Sequence, residues 1–178
     1  MGYVIEMNLD DAGAARVRAL WRTLAQAGVT DSLLRNQARP HVSLAVFEDD
    51  VDVDALRAVL TEFTAGMPLL RLKFSSVGVF AVEAGVLFLA PVVTEGLLAV
   101  HTDLHGRCAA RGLVSHGYYL PGNWVPHCTV GYRLAPEELQ TAVVLTLAAN
   151  VFCEVLLDSV SLTQFPSARL LADYPLLP

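Results

Sequence analysis

Lysine is almost missing from this chain. Among its 178 residues Lys73 stands alone, and 12 basic against 18 acidic residues leave a formal net charge of −6. Affinity for duplex DNA or long RNA draws on a broad basic face and on counterion release. That class of partner is excluded, whereas a small nucleotide, a cyclic phosphate or a short RNA end needs only a few arginines. Cysteine is scarce as well. Cys108, Cys128 and Cys153 form no CxxC, no even set and no zinc spacing, and read as small apolar residues of a reducing compartment. Long apolar runs are absent: the stretch 85–93 contains Pro91, and 141–151 runs into a strand signal. Neither approaches the ~20 residues that span a bilayer. The first residues carry no basic segment of the kind that opens a signal peptide, and Glu6 stands where a myristoylation motif needs Ser or Thr. The expectation is a monomeric, cytoplasmic protein with no membrane partner.

What is present is apolar. Hydrophobic residues make up 54% and charged residues 17%, enough for one well-filled domain. Residues 3–9 alternate as a strand. Asp10-Asp11 caps a helix whose apolar positions Ala14, Val17, Leu20, Trp21, Leu24 and Ala27 recur at helical spacing up to Gly28. Residues 41–47 read as a strand by their β-branched content. Asp52 caps a second helix with the stripe Leu56, Val59, Leu60 and Phe63, closed by Gly66. Residues 69–80 form a long strand or a bent pair broken near Gly78.

The order then begins again. A strand at 85–90 leads to a helix capped by Thr94 and ended by Gly112. A loop rich in Gly, Tyr, Pro and Asn spans 115–126 and precedes a strand at 127–133. Pro136 suits the first position of a helix, with Glu137-Glu138 at its positive end. Residues 152–164 close the series as a strand, and 168–178 reads as an extended tail packed on the surface. Locally the agreement is closer still: Pro40-His41-Val42-Ser43-Leu44 aligns with Pro126-His127-Cys128-Thr129-Val130. The repeat implies an internal duplication about a pseudo-twofold axis.

Residues i and i+2 of a strand share a face. His41 and Ser43 therefore point together, as do His127 and Thr129, and the apolar neighbours point into a core. If the lobes face each other, these polar side chains meet in one cleft. Two imidazoles on one phosphate form an acid–base pair, provided their surroundings keep one neutral and one charged. The hydroxyls can hold non-bridging phosphate oxygens. The chemistry needs no metal and no cofactor, and no carboxylate cluster adjoins either motif in the sequence.

The pattern His-apolar-Ser/Thr-apolar, repeated one lobe apart, resembles the two-histidine (2H) phosphoesterase superfamily, in its bacterial 2′-5′ RNA ligase or cyclic phosphodiesterase-like branch. The resemblance runs from the first strand to Gln164, and the Trp124-x-Pro126-His127 stretch and the Phe80 strand share it. It implies an α+β fold: one domain of two lobes, about 1–80 and 85–178, with antiparallel sheets, outer helices and a central groove. It also implies metal-independent action on 2′,3′-cyclic phosphates or 2′-5′ linkages, with ligation as the reverse reaction. His41, Ser43, His127 and Thr129 match its motif positions.

Around the motifs, Arg39 and Arg133 share strand parity with the nearby histidines and are candidates for phosphate contact, although exposed strand-end arginines are common. Trp124 could stack on a base or anchor its loop. Phe80 could line the groove or fill the core. Tyr118 and Tyr119, between Gly117 and Gly122, suggest a lid. His101 and His105 have metal-ligand spacing on a helix but no third ligand; one partly buried and one exposed histidine is the plainer reading. His116 has no assignment. A groove that holds a nucleotide without turning it over is the competing function, and a purely structural repeat the third.

Overall fold

The structure, a computed structural model, describes residues 2–80 and 85–178. Strand β1 (Gly2–Leu9) turns Ile5, Met7 and Leu9 into the core, and so presents Glu6 and Asn8 on the opposite face. Asp10 accepts the Gly13 amide at 3.1 Å and starts α1 (Asp11–Gln26). Ala14, Val17, Leu20, Trp21 and Leu24 are buried as expected, but Ala27 is exposed. A single helical turn, α2 (Ser32–Arg35), follows without a clear sequence signal. Next come β2 (His41–Glu48), α3 (Val53–Thr64) with Asp52 as its cap, and β3 (Leu70–Phe80).

The second series is β4 (Gly85–Pro91), α4 (Glu95–Ala109) capped by Thr94, β5 (Cys128–Leu134), α5 (Pro136–Ala148) and β6 (Glu154–Phe165). The tail is more regular than expected. It forms β7 (Arg169–Pro175), laid along β6. Nor does β3 break at Gly78. It runs straight through, because the bare glycine leaves room for the Phe88 ring of β4 lying across it.

The strands pair antiparallel in the order β2-β1-β6-β3-β4-β5, with β7 on β6. Strand β6 joins the lobes. Residues 154–157 pair with the start of β3, and the remainder lies between β1 and β7. One lobe is thus β2-β1-β6-β7 and the other β5-β4-β3, so strand pairing crosses the boundary near residue 80. Each histidine motif lies on the outermost strand of its lobe, and β2 and β5 touch.

The two motif strands carry the same irregularity. Across β1 and β2, Glu6 pairs with Ser43 and Ile5 with Ala45, which leaves Leu44 as an extra residue. Across β4 and β5, Phe88 pairs with Thr129 and Leu87 with Gly131, which leaves Val130 extra. A bulge follows the hydroxyl residue in both lobes, and its residue is driven fully into the core. A further irregularity in β5 puts Arg133 at φ 58°, exposed and outside the groove cavities. The alternation that assigned Arg133 to the face of His127 does not survive these bulges.

Candidate active site

His41 and His127 are held in the same way. The Nδ1–H of His41 donates to the Arg39 carbonyl at 2.7 Å, and that of His127 to the Val125 carbonyl at 2.7 Å, when each ring takes the tautomer this contact selects. In both cases the acceptor lies two residues before the ring, and Nε2 is the nitrogen left for chemistry. The repeat extends to the carbonyls of the hydroxyl residues. Trp124 Nε1 donates to the Ser43 carbonyl at 3.0 Å, and Trp21 Nε1 to the Thr129 carbonyl at 3.3 Å. On each motif strand an indole thus takes up the carbonyl of the hydroxyl residue.

Two cavities meet at Tyr118 and Tyr119. The larger, about 570 Å³, is lined by Glu6, Arg39, His41, Ser43 and Thr163 among others. The smaller, about 510 Å³, is lined by Phe80, Val86, Trp124 and His127. The structure therefore brings His41, Ser43, Arg39, His127, Trp124 and Phe80 to one groove. Thr129 is half-buried beside it and lines neither cavity. Arg39 is already engaged: its guanidinium meets Asp173 at 3.3 Å and the Ser159 hydroxyl at 3.3 Å. Phe80 is half-buried, and its ring lies 4.9 Å from that of His127, edge to face.

The walls around the histidines differ. His127 packs against Phe80 and Phe88. Burial pushes its pKa below the ordinary 6.5; the positive charge that His41 can carry pushes the same way, and the Val125 carbonyl opposes both. Beside His41 stands Glu6, with Oε1 3.5 Å from Nε2 and only 8% of the residue exposed. The Thr163 hydroxyl donates to its other oxygen at 3.0 Å. Sequence reasoning missed Glu6. It lies far from His41 along the chain, and only the β1–β2 register puts it opposite Ser43.

His101 and His105 are both buried, at 2% and 8% exposure, so neither is the exposed residue expected. Their rings are tilted to each other by 52° with centroids 4.4 Å apart, and Trp124 lies flat on His101 at 4.0 Å. His101 Nε2 bonds the Tyr119 carbonyl at 2.9 Å, and His105 Nε2 the Leu44 carbonyl at 3.1 Å. Among the described residues no group of three or more His, Cys, Asp or Glu is placed to hold a metal. The column fastens the 115–126 loop to β2, as do the Ser115 hydroxyl and the His116 amide, both donating to the Val46 carbonyl. Asn123 Nδ2 ties the loop to itself through the Gly117 carbonyl. Tyr118 and Tyr119 thus belong to an anchored wall rather than to a hinged lid, and His116 caps its 3-10 turn.

Burial, followed by the charge of His105, holds His101 at about 4, below its ordinary 6.5. A neutral histidine of this kind stabilises the fold fully above the unfolded value, and that contribution is lost as pH falls through the folded one. Denaturant unfolding is therefore expected to show a drop of about 1–2 kcal/mol between neutral pH and about pH 4.5, after allowance for solvent screening. His101→Gln should flatten that dependence. An unchanged slope in the variant would count against the column as its source.

The model of the 2′-5′ RNA ligase superfamily matches residues 9–167. The chain belongs to that superfamily. The fold of this 2H phosphoesterase matches E. coli LigT complexed with 3′-AMP at TM-score 0.63 and 16% identity, over 99% of this chain and 98% of that one. It also matches TT0787 of Thermus thermophilus (TM-score 0.59, 16% identity, 99% and 98% covered) and Kluyveromyces marxianus Usb1 with uridine monophosphate (0.51, 14%, 98% and 98%). No curated protein matches the sequence. At these identities the structural likeness establishes the fold. The superfamily establishes phosphodiesterase- or ligase-type activity in general terms, and the helices of the described residues include none long and apolar enough to cross a membrane.

Proposed function

We propose that this 2H phosphoesterase opens 2′,3′-cyclic phosphates or cuts 2′-5′-linked nucleotides by paired-histidine acid–base catalysis, with ligation as the reverse reaction. The observation that carries the reading is the matched tethering of His41 and His127, each through Nδ1 to the carbonyl two residues back. One Nε2 takes a proton from water as its oxygen attacks phosphorus. The other gives a proton to the ribose oxygen as the P–O bond breaks, and a nucleoside 2′- or 3′-phosphate leaves. Ser43 lines the cavity, where its hydroxyl can hold a non-bridging oxygen; Thr129, its counterpart in the repeat, lies half-buried beside the groove. Phe80 and Trp124 offer apolar surface to a base, and Arg39 can reach phosphate only by giving up part of its contact with Asp173. Related folds whose structures hold 3′-AMP, uridine monophosphate and NADP+ support a small nucleotide as ligand.

The pure protein in EDTA is expected to hydrolyse at least one nucleoside 2′,3′-cyclic phosphate or a 2′-5′ dinucleotide. Because the pKa of His127 is lowered, kcat/KM should rise through a midpoint below pH 6.5 if this ring is the base. Tight binding of nucleotides without turnover would replace this reading with a binding module.

A further inference from the structure

The duplication makes the two histidine sites equivalent in backbone and unlike in surroundings. The residue across the ladder from Ser43 is Glu6, and the residue across from Thr129 is Phe88. These positions correspond under the pseudo-twofold: each pairs with the hydroxyl residue just before the bulge, and each touches the catalytic ring of its own lobe. One lobe has a carboxylate where the other has a phenyl ring.

We propose that Glu6 is a positioning residue that divides the labour between the histidines, holding the His41 imidazolium as proton donor and leaving His127, walled by Phe80 and Phe88, as the base. The inference rests on the hydrolytic reading above and deepens it. A carboxylate close to an imidazole favours the charged ring, whereas an aromatic wall favours the neutral one. At 3.5 Å the Glu6 oxygen makes an ion-pair contact with Nε2 rather than a full hydrogen bond. Nε2–H therefore remains available to the leaving oxygen.

The carboxylate is itself fixed. Thr163 on β6 donates to Oε2 at 3.0 Å, and burial keeps bulk water from screening it. The Arg39 guanidinium is turned to Asp173 and Ser159. The Tyr119 phenol keeps its proton, because burial and then the Glu6 charge raise its pKa. In hydrolysis the water proton goes to His127 Nε2, the ribose P–O bond breaks, and the His41 proton goes to the departing oxygen.

A leaving group that needs no proton separates the roles. The test compares the cyclic phosphate cleaved by the parent with its analogue bearing sulfur at the bridging position that leaves, since a thiolate departs unprotonated far more readily than an alkoxide. Glu6→Gln, which keeps the shape and can still bond Thr163, is expected to lose about 10- to 100-fold in kcat on the oxygen substrate and to recover most of it on the sulfur one. His41→Ala should show the same recovery, and His127→Ala should be impaired equally on both. Equal loss by Glu6→Gln on both substrates, or rescue of His127→Ala instead, overturns the assignment while leaving the hydrolytic reading intact. Absence of turnover by the parent overturns both. Should Glu6→Gln melt before assay, Thr163→Val removes the anchor and keeps the charge. A smaller loss rescued by sulfur is then the expected result, and an unrescued loss refutes the role.

Discussion

Replacing His41 or His127 by alanine is expected to lower kcat for cyclic-phosphate hydrolysis by about 10²–10⁴-fold, the usual contribution of a positioned proton-transfer group. The double variant should be little worse than the weaker single one, because an acid and a base acting on one transition state are not additive. The loss should fall on kcat more than on KM. Both rings are tethered through Nδ1 and present Nε2, so their work lies in the transition state and not in ground-state binding. Steady-state assays in EDTA, with melts to confirm folding, decide the matter. A single variant within a few-fold of the parent would remove that histidine from the mechanism.

The second large effect is expected at Gly78, which carries no chemistry. A β-carbon built there would lie 2.2 Å from the Phe88 ring. Phe88 is 5% exposed, and its ring stands 4.4 Å from Phe80 and 5.2 Å from His127. Gly78→Ala must therefore push the ring out of its rotamer, a type of overpacking that costs about 1–3 kcal/mol. The displaced ring moves the wall that desolvates His127, so activity should fall at temperatures where the variant is still folded. Thermal melts and kcat/KM against pH measure both effects. A variant with parental stability and an unchanged acidic limb would show that the wall does not set the behaviour of His127.

The sequence disclosed the elements with strong periodicity. Helices α1 and α3 were legible because an Asp cap, an apolar stripe and a closing Gly coincide, and the motif strands were legible because each repeats Pro-His-x-Ser/Thr. Parity then placed His41 with Ser43. It misplaced Arg133, since Leu44, Val130 and their neighbours look like ordinary strand residues and nothing in their type announces a bulge. Strand β7 was hidden because Arg169–Pro175 hardly alternates and pairs only after β6 is in place. The contacts of Glu6 with His41, of Trp21 with Thr129 and of Trp124 with His101 join segments remote in the chain. Such contacts follow from strand register and helix docking, which local pattern does not specify.

The shared strand β6 has a consequence for how this chain folds. Gly2 pairs with Phe165 and Leu9 with Leu157, so β1 finds its central partner only far along the chain. Until the two pair, one edge of β1 has no ladder, and contacts of such long sequence separation form slowly. Residues 2–80 hold a complete His-x-Ser motif but lack the strand that pairs with the second edge of β1. An isolated fragment of this part is expected to expose an unpaired strand edge, of the kind that aggregates or recruits a chaperone.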